Sequence, residues 1–317
     1  MHSFSSRFLI VFLLLISSVP VYASSSIYGR LDLAVSNDNK DNGTITDVRS
    51  HASRVGIKGS QIFDSGMVVI YQYEWQVDPV DGDPTFSQRD SYLGLRGAFG
   101  TFLLGMHDTP LKNSQGKVDL FNDTAGDIKN ILWGDNRSKK VIQWSSPKIR
   151  GFTVNVMTIF EESDEEAFST SLEWNGKIGG NKAQFNLAFD SEVPQKGYFF
   201  DTIRIGTTMP LGESVSLGLI WQESEDSTGK YDDDGYVVSL KSKISKKTTF
   251  KLMYGKSDMV KQGGELSGIG FDYKLAKPLK LYLNYVDKSY TDTSKESEHI
   301  MFGIQYKFSF DMLYEPF

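Results

Sequence analysis

The stretch Ile300-Met301-Phe302-Gly303-Ile304-Gln305-Tyr306-Lys307-Phe308-Ser309-Phe310 decides the fold class. One parity holds Ile300, Phe302, Ile304, Tyr306, Phe308 and Phe310; the other holds Met301, Gly303, Gln305, Lys307 and Ser309. Successive side chains of a β-strand point to opposite faces, so the segment has one greasy face and one polar or small face. The same period recurs upstream. Leu279, Leu281, Leu283 and Tyr285 alternate with Lys280, Tyr282 and Asn284, and Phe250, Leu252 and Tyr254 alternate with Thr249 and Lys251. Phe185-Leu187-Phe189, Val215-Leu217-Leu219-Trp221 and Phe152-Val154-Val156 repeat it.

Sixteen such strands can be placed, from 26–36 to 297–310. Many run close to the roughly 9–11 residues a tilted strand needs to cross a bilayer. Strands of soluble sandwiches average about 5–6 residues, and no repeat of propeller-blade size is present. The breaks alternate in kind. Phe63–Gly66, Gly97–Gly100, Pro147–Gly151, Gly176–Gly180, Pro210–Gly212, Ser245-Lys246 and Ala276–Pro278 are short. The breaks at 37–47, 78–85, 107–137, 191–197, 224–232, 258–264 and 289–296 are mostly longer and more polar. Aromatics gather at segment ends, as interfacial girdles do. In lipid, only helices or a closed barrel satisfy every backbone group. The expectation is therefore an all-β, closed antiparallel transmembrane barrel of about sixteen strands, with both termini at the short-turn end.

The N-terminus fits export. Arg7 precedes the apolar run Phe8–Ile16, and small residues lead to Val21-Tyr22-Ala23. This is a signal-peptide pattern, too short for the roughly 20 residues of a spanning helix. The expected organisation is a cleaved signal peptide at 1–23, a barrel at 24–310 and a short tail at 311–317, where Pro316 cannot join a ladder. Cysteine is absent, which excludes disulfides, thiolate metal sites and cysteine nucleophiles. With a formal charge of −6 and no basic run after the leader, a nucleic-acid partner is not expected. The runs Glu161–Glu166 and Asp232–Asp234 read as solvated loop charge. His51, His107 and His299 form no catalytic or metal-ligand pattern, so neither an enzyme nor a cofactor is expected.

Four segments resemble the Gram-negative general porins of the neisserial and related proteobacterial type. Tyr28-Gly29-Arg30-Leu31-Asp32 is similar to that family's opening strand, and Ser53-Arg54-Val55-Gly56-Ile57-Lys58-Gly59-Ser60 to its second. Arg89–Gly97 with Phe99-Gly100-Thr101 and Gly105 resembles strands four and five; Gln143–Pro147 with Gly151-Phe152 resembles the turn after strand six. The resemblance implies a sixteen-stranded outer-membrane barrel in contact with lipid and lipopolysaccharide. It also implies a homotrimer that passes small hydrophilic solutes and ions. A third loop would fold inward and oppose its acids to a basic cluster on the wall.

The residues offer candidates for both sides. The break at 107–137 is the longest, and loops of that length are usually functional. Its acids Asp108, Asp119, Asp123 and Asp127 are the loop-side candidates, with Asp135, Lys112, Lys117 and Lys129 interspersed. Arg54 and Lys58 lie opposite Val55 and Ile57 in parity, and Arg30 opposite Leu31, so all three face the lumen if the apolar parity faces lipid. By resemblance Arg54 and Arg89 match wall arginines. Arg137 or Lys139, where the chain leaves the loop, would supply a third. Strict alternation puts Arg89 on the parity of Leu93 and Leu95; a bulge near Gly94 or a rim position would reconcile that. A solute-specific channel, for instance for oligosaccharides, and a plugged adhesion or structural barrel stand as alternatives.

Overall fold

The computed structural model describes residues 23–40, 43–81, 86–160, 166–259, 263–291 and 293–313. Most of the expected signal peptide and the run 161–165 lie outside them. The strands are β1 Ala23–Lys40, β2 in two pieces Gly43–Ser50 and Arg54–Ile62, β3 Val68–Gln76, β4 Ser87–Gly97, β5 Gly100–Asp108 and β6 Arg137–Ser145. There follow β7 Phe152–Ile159, β8 Ala167–Ile178, β9 Asn181–Gln195, β10 Tyr198–Leu211 and β11 Val215–Asp226. The circle ends with β12 Asp232–Lys243, β13 Thr248–Ser257, β14 Gly264–Lys274, β15 Leu279–Tyr290 and β16 Thr293–Leu313. Each pairs antiparallel with its neighbours, and β1 pairs with β16 from Ser24↔Leu313 to Lys40↔Ser297, closing a sixteen-stranded barrel with no free edge.

The alternation does what the sequence implied. On β16, Phe302 is 57% exposed on the outer face while the neighbouring Met301 is fully buried. A row of outward Phe, Leu, Ile, Val and Tyr side chains on a molecule this size is a lipid-facing belt. No helix among the described residues is long and apolar enough to cross a membrane.

Three departures matter. First, β2 is interrupted: Leu33 of β1 faces Ser50, but Arg30 faces Arg54, so β2 carries an extra residue. Ala52 sits at φ 49°, the His51 N–H donates to the Asp32 carbonyl, and the Asp32 N–H donates to Ser53 Oγ. Second, the expected long break at 191–197 is a two-residue turn. Lys196 and Gly197 both have positive φ (52° and 86°), the signature of a primed hairpin turn, so β9 and β10 continue up to it. Third, the last strand does not stop at Phe310. Asp311, Met312 and Leu313 pair with Ser26, Ser25 and Ser24, because β1 starts early enough to supply partners.

Candidate functional site

The segment between β5 and β6 enters the lumen. It opens with a short helix, Pro110–Ser114, whose N-cap Thr109 accepts the Lys112 N–H through Oγ1 at 3.1 Å, with proline where the missing N–H costs nothing. It turns back through a 3₁₀ turn, Ile128–Asn130, capped by Asp127. Val118 and Phe121 between these, and Ile128, Ile131 and Leu132 in and just after the turn, pack on inward-facing Ile220, Val237, Met253, Leu266 and Val286. The approach is close enough to require glycine. A Cβ on Gly268 would lie 2.8 Å from the Phe121 ring, and one on Gly206 2.8 Å from the Ser114 carbonyl oxygen.

Polar anchors complete the seam. The buried Arg204 of β10 donates from Nη1 to the Leu111 carbonyl (3.1 Å), from Nη2 to the Trp133 carbonyl (2.7 Å) and from Nε to Gln222 Oε1 (2.7 Å). One guanidinium thus holds the outgoing and returning arms of the loop together. Asn186 Nδ2 donates to the Ser114 carbonyl (2.6 Å), and Trp133 Nε1 to Asp233 (2.6 Å). Asp233 is therefore buried, not a solvated loop charge.

Held against β8–β15, the loop presents its tip to β1 and β2. Asp123 Oδ2 lies 2.7 Å from Arg30 Nη2 and 3.9 Å from Arg54 Nη1. Arg30 is aimed by the bulge, since its Nη2 also donates to the carbonyls of His51 and Ala52, both at 3.0 Å. Arg54 reaches Glu74 of β3 (3.7 Å), and Glu74 accepts from Arg89 Nε (2.6 Å). Asp90 pairs with Arg137 (2.7 Å), Arg137 with Asp108 (2.8 Å), and Lys112 with Asp108 (3.1 Å) and Asp135 (2.6 Å). Five cations and five carboxylates alternate along one arc of lumen wall and loop. Burial opposes the charge on Asp123, but Arg30, Arg54 and Arg89 outweigh it and hold its carboxyl below the usual aspartate range.

Comparison with known proteins places the fold in a family. The family model described as Gram-negative porin matches residues 11–293. The chain belongs to the Gram-negative porin family. The porin is 24% identical over 157 residues to the major outer membrane protein P.IB of Neisseria sicca. That stretch covers 45% of this chain and 44% of the relative, so the match spans less than half of the relative's length. The anion-selective porin from Comamonas acidovorans superposes with a TM-score of 0.76 at 20% identity, covering 90% of this chain and all of that one. The trimer form of OmpT, an outer membrane protein of Vibrio cholerae, superposes at 0.64 with 15% identity, covering 90% of this porin and 100% of OmpT.

The candidates from sequence divide. Arg30, Arg54, Arg89 and Arg137 come together with Asp108 and Asp123. Lys58 stands four residues beyond Arg54 along β2, toward the short-turn end, with Nζ 4.8 Å from the Tyr28 ring centroid and no loop acid as partner among the described residues. Lys139 is not at the constriction. Lys140 takes φ 53° and breaks the alternation, leaving Lys139 exposed beside outward-facing Leu93 and Leu104. Asp119 and Asp127 do not oppose the wall either. Asp119 accepts the N–H groups of Phe121 (2.9 Å) and Ile128 (3.3 Å); Asp127 accepts those of Asp123 (2.8 Å) and Lys129 (3.0 Å). They fold the loop, and burial pushes the Asp119 carboxyl well up, with Asp127 beside it adding to the rise.

The porin resolves Arg89 differently from either expectation. Tyr73 faces Ser91 but Trp75 faces Gln88, so the bulge falls at Arg89-Asp90, not near Gly94. Both adjacent side chains thereby enter the lumen. Sequence reasoning missed Glu74, Asp90 and Arg204. Glu74 was findable, because Gln72, Glu74 and Gln76 form the polar parity opposite Tyr71, Tyr73 and Trp75.

Proposed function

We propose that the protein is a general diffusion channel, admitting small hydrophilic solutes and ions across the outer membrane through the passage between loop and wall. The observation that carries this reading is the span of ion pairs from loop to wall, Arg30–Asp123–Arg54–Glu74–Arg89, set in a closed barrel. Opposed charges across a narrow aqueous passage order water and favour polar over apolar solutes. The Comamonas protein is an anion-selective porin. In this chain the cations and carboxylates of the arc are equal in number, so the arc by itself favours neither sign of ion. We further propose export through the leader at 1–23, seating of the apolar belt in lipid and lipopolysaccharide, and assembly as a homotrimer, as in the trimer form of Vibrio cholerae OmpT. Reconstitution in planar bilayers tests the channel: stepwise conductance in potassium chloride, often in groups of three, is the expected result. Absence of steps from folded protein would refute it.

A further inference from the structure

On the long-loop side of the constriction, a second lumen feature has no part in the charge arc. Between the loop and the inner faces of β1, β2, β15 and β16 lies a cavity of about 360 Å³. Lys288 of β15 lines it. The residue is 9% exposed, its Nζ sits 5.8 Å from the Tyr290 ring centroid, and it has no carboxylate partner among the described residues. His51, 8% exposed, lines the same cavity, and its Nε2 is buried without a hydrogen-bond partner. Arg49 is compensated by Asp38 Oδ2, and the other carboxylate oxygen, Oδ1, lies 2.7 Å from His299 Nδ1. Lys40 stands at the exposed mouth.

A buried ammonium without a counter-charge is costly, and a buried imidazole nitrogen without a partner adds to that cost. Both costs fall if an anion occupies the cavity. We propose that this cavity is a binding subsite for a small, multiply charged oxyanion, a di- or tricarboxylate or a phosphate, held by Lys288 with Lys40 and met by His51. Two cations are left over once Asp38 has balanced Arg49, so a ligand with two or more negative charges matches the site. The volume suits a solute of citrate size and excludes long polyanions from full entry. Its position ahead of the constriction makes it a capture point that raises local solute concentration before passage.

The subsite deepens the channel reading and rests on it, but binding can be read without current. The folded full chain in detergent, at low ionic strength, is titrated calorimetrically with citrate and, separately, with inorganic phosphate. At least one should bind saturably. Lys288→Met should weaken that binding at least tenfold, while Lys288→Arg and the constriction variant Arg54→Gln keep it within threefold. If Lys288→Met fails the heat-shift test for a folded barrel, the exposed Lys40→Gln serves, with an expected weakening of about threefold. Saturation by neither anion, unchanged affinity in the lysine variants, or loss of binding in Arg54→Gln would each overturn the proposal. A protein that binds citrate but passes no current keeps the subsite and loses the channel. One that conducts but does not bind loses the subsite alone.

Discussion

Glu74 and Arg89 offer the cleanest test of a balanced constriction, because they are bonded to each other and carry opposite charge. Glu74→Gln keeps the side chain's shape and leaves the arc with one uncompensated positive charge. An ion passing about 6 Å from a unit charge feels roughly 0.7 kcal/mol in water. A Debye length of about 10 Å at 0.1 M salt reduces this to about 0.4 kcal/mol. That changes the local concentration of each ion roughly twofold in opposite senses, so the permeability ratio moves about fourfold toward anions. Arg89→Gln should move it about fourfold toward cations, and the double variant should return to the wild-type value. The assay is the reversal potential in a tenfold potassium chloride gradient, repeated at 1 M salt, where the shifts should shrink. Shifts of the same sign, or none from either variant, would refute the placement of this pair beside the permeation path.

Arg204→Met removes the donors that hold the Leu111 and Trp133 carbonyls. At about 1.5–3 kcal/mol for each hydrogen bond to a charged group, the loop loses several kcal/mol of anchorage, expected as larger, noisier conductance steps and a lower unfolding temperature of the barrel. Phe121→Ala empties the space against Gly268; the usual cost is about 3–5 kcal/mol, and denaturant unfolding combined with protease cleavage inside 109–136 measures it. Asp123 has a depressed carboxyl, so its attraction to Arg30 and Arg54 is complete above the ordinary aspartate value of 3.8 and is lost only as pH falls through its lower folded value. Wild type and Asp123→Asn should therefore differ in selectivity by the same factor from pH 7 down to about 4, converging only in stronger acid. Convergence at pH 5–6 would mean the arginines do not hold it.

The barrel is legible in the sequence because a lipid-facing parity leaves a direct trace on every strand, and Ile300–Phe310 alone shows it. The positions of Arg30 and Arg54 follow from the same parity. What parity cannot show is where it fails. His51-Ala52-Ser53 and Arg89-Asp90 each add a residue to one strand, and each turns a side chain that alternation would misplace. Nothing in Arg89-Asp90 announces a bulge, since neither residue requires an unusual backbone. The balance of the arc was hidden for a different reason. A family pattern of basic wall and acidic loop draws attention to arginines, while Glu74 and Asp90 come from the wall itself and Lys112 from the loop. The roles of Asp119 and Asp127 were unreadable, because an aspartate that caps backbone N–H groups and one that faces a channel look alike without coordinates.

Where the loop docks was written on the strands that receive it, not on the loop. A water-filled lumen asks for polar or small residues on the inner parity. On β12 that parity includes Val237, fully buried between outward Tyr236 and Val238. Ile220, Met253, Leu266 and Val286 break the pattern in the same way on β11, β13, β14 and β15. At roughly 1.5–3 kcal/mol for burying each such side chain, this arc favours a covered wall strongly over a wet one. The inner faces of β1 to β4, with Arg137 at the start of β6, show the opposite character, carrying Arg30, Arg54, Glu74 and Asp90. An apolar arc that must be covered and a charged arc that must stay wet put the loop on one side and the passage on the other. The single guanidinium of Arg204, bridging both arms of the loop, then fixes how far its acidic tip can reach toward Arg30. Constriction width is in this sense set from β10, across the barrel from the charges that use it.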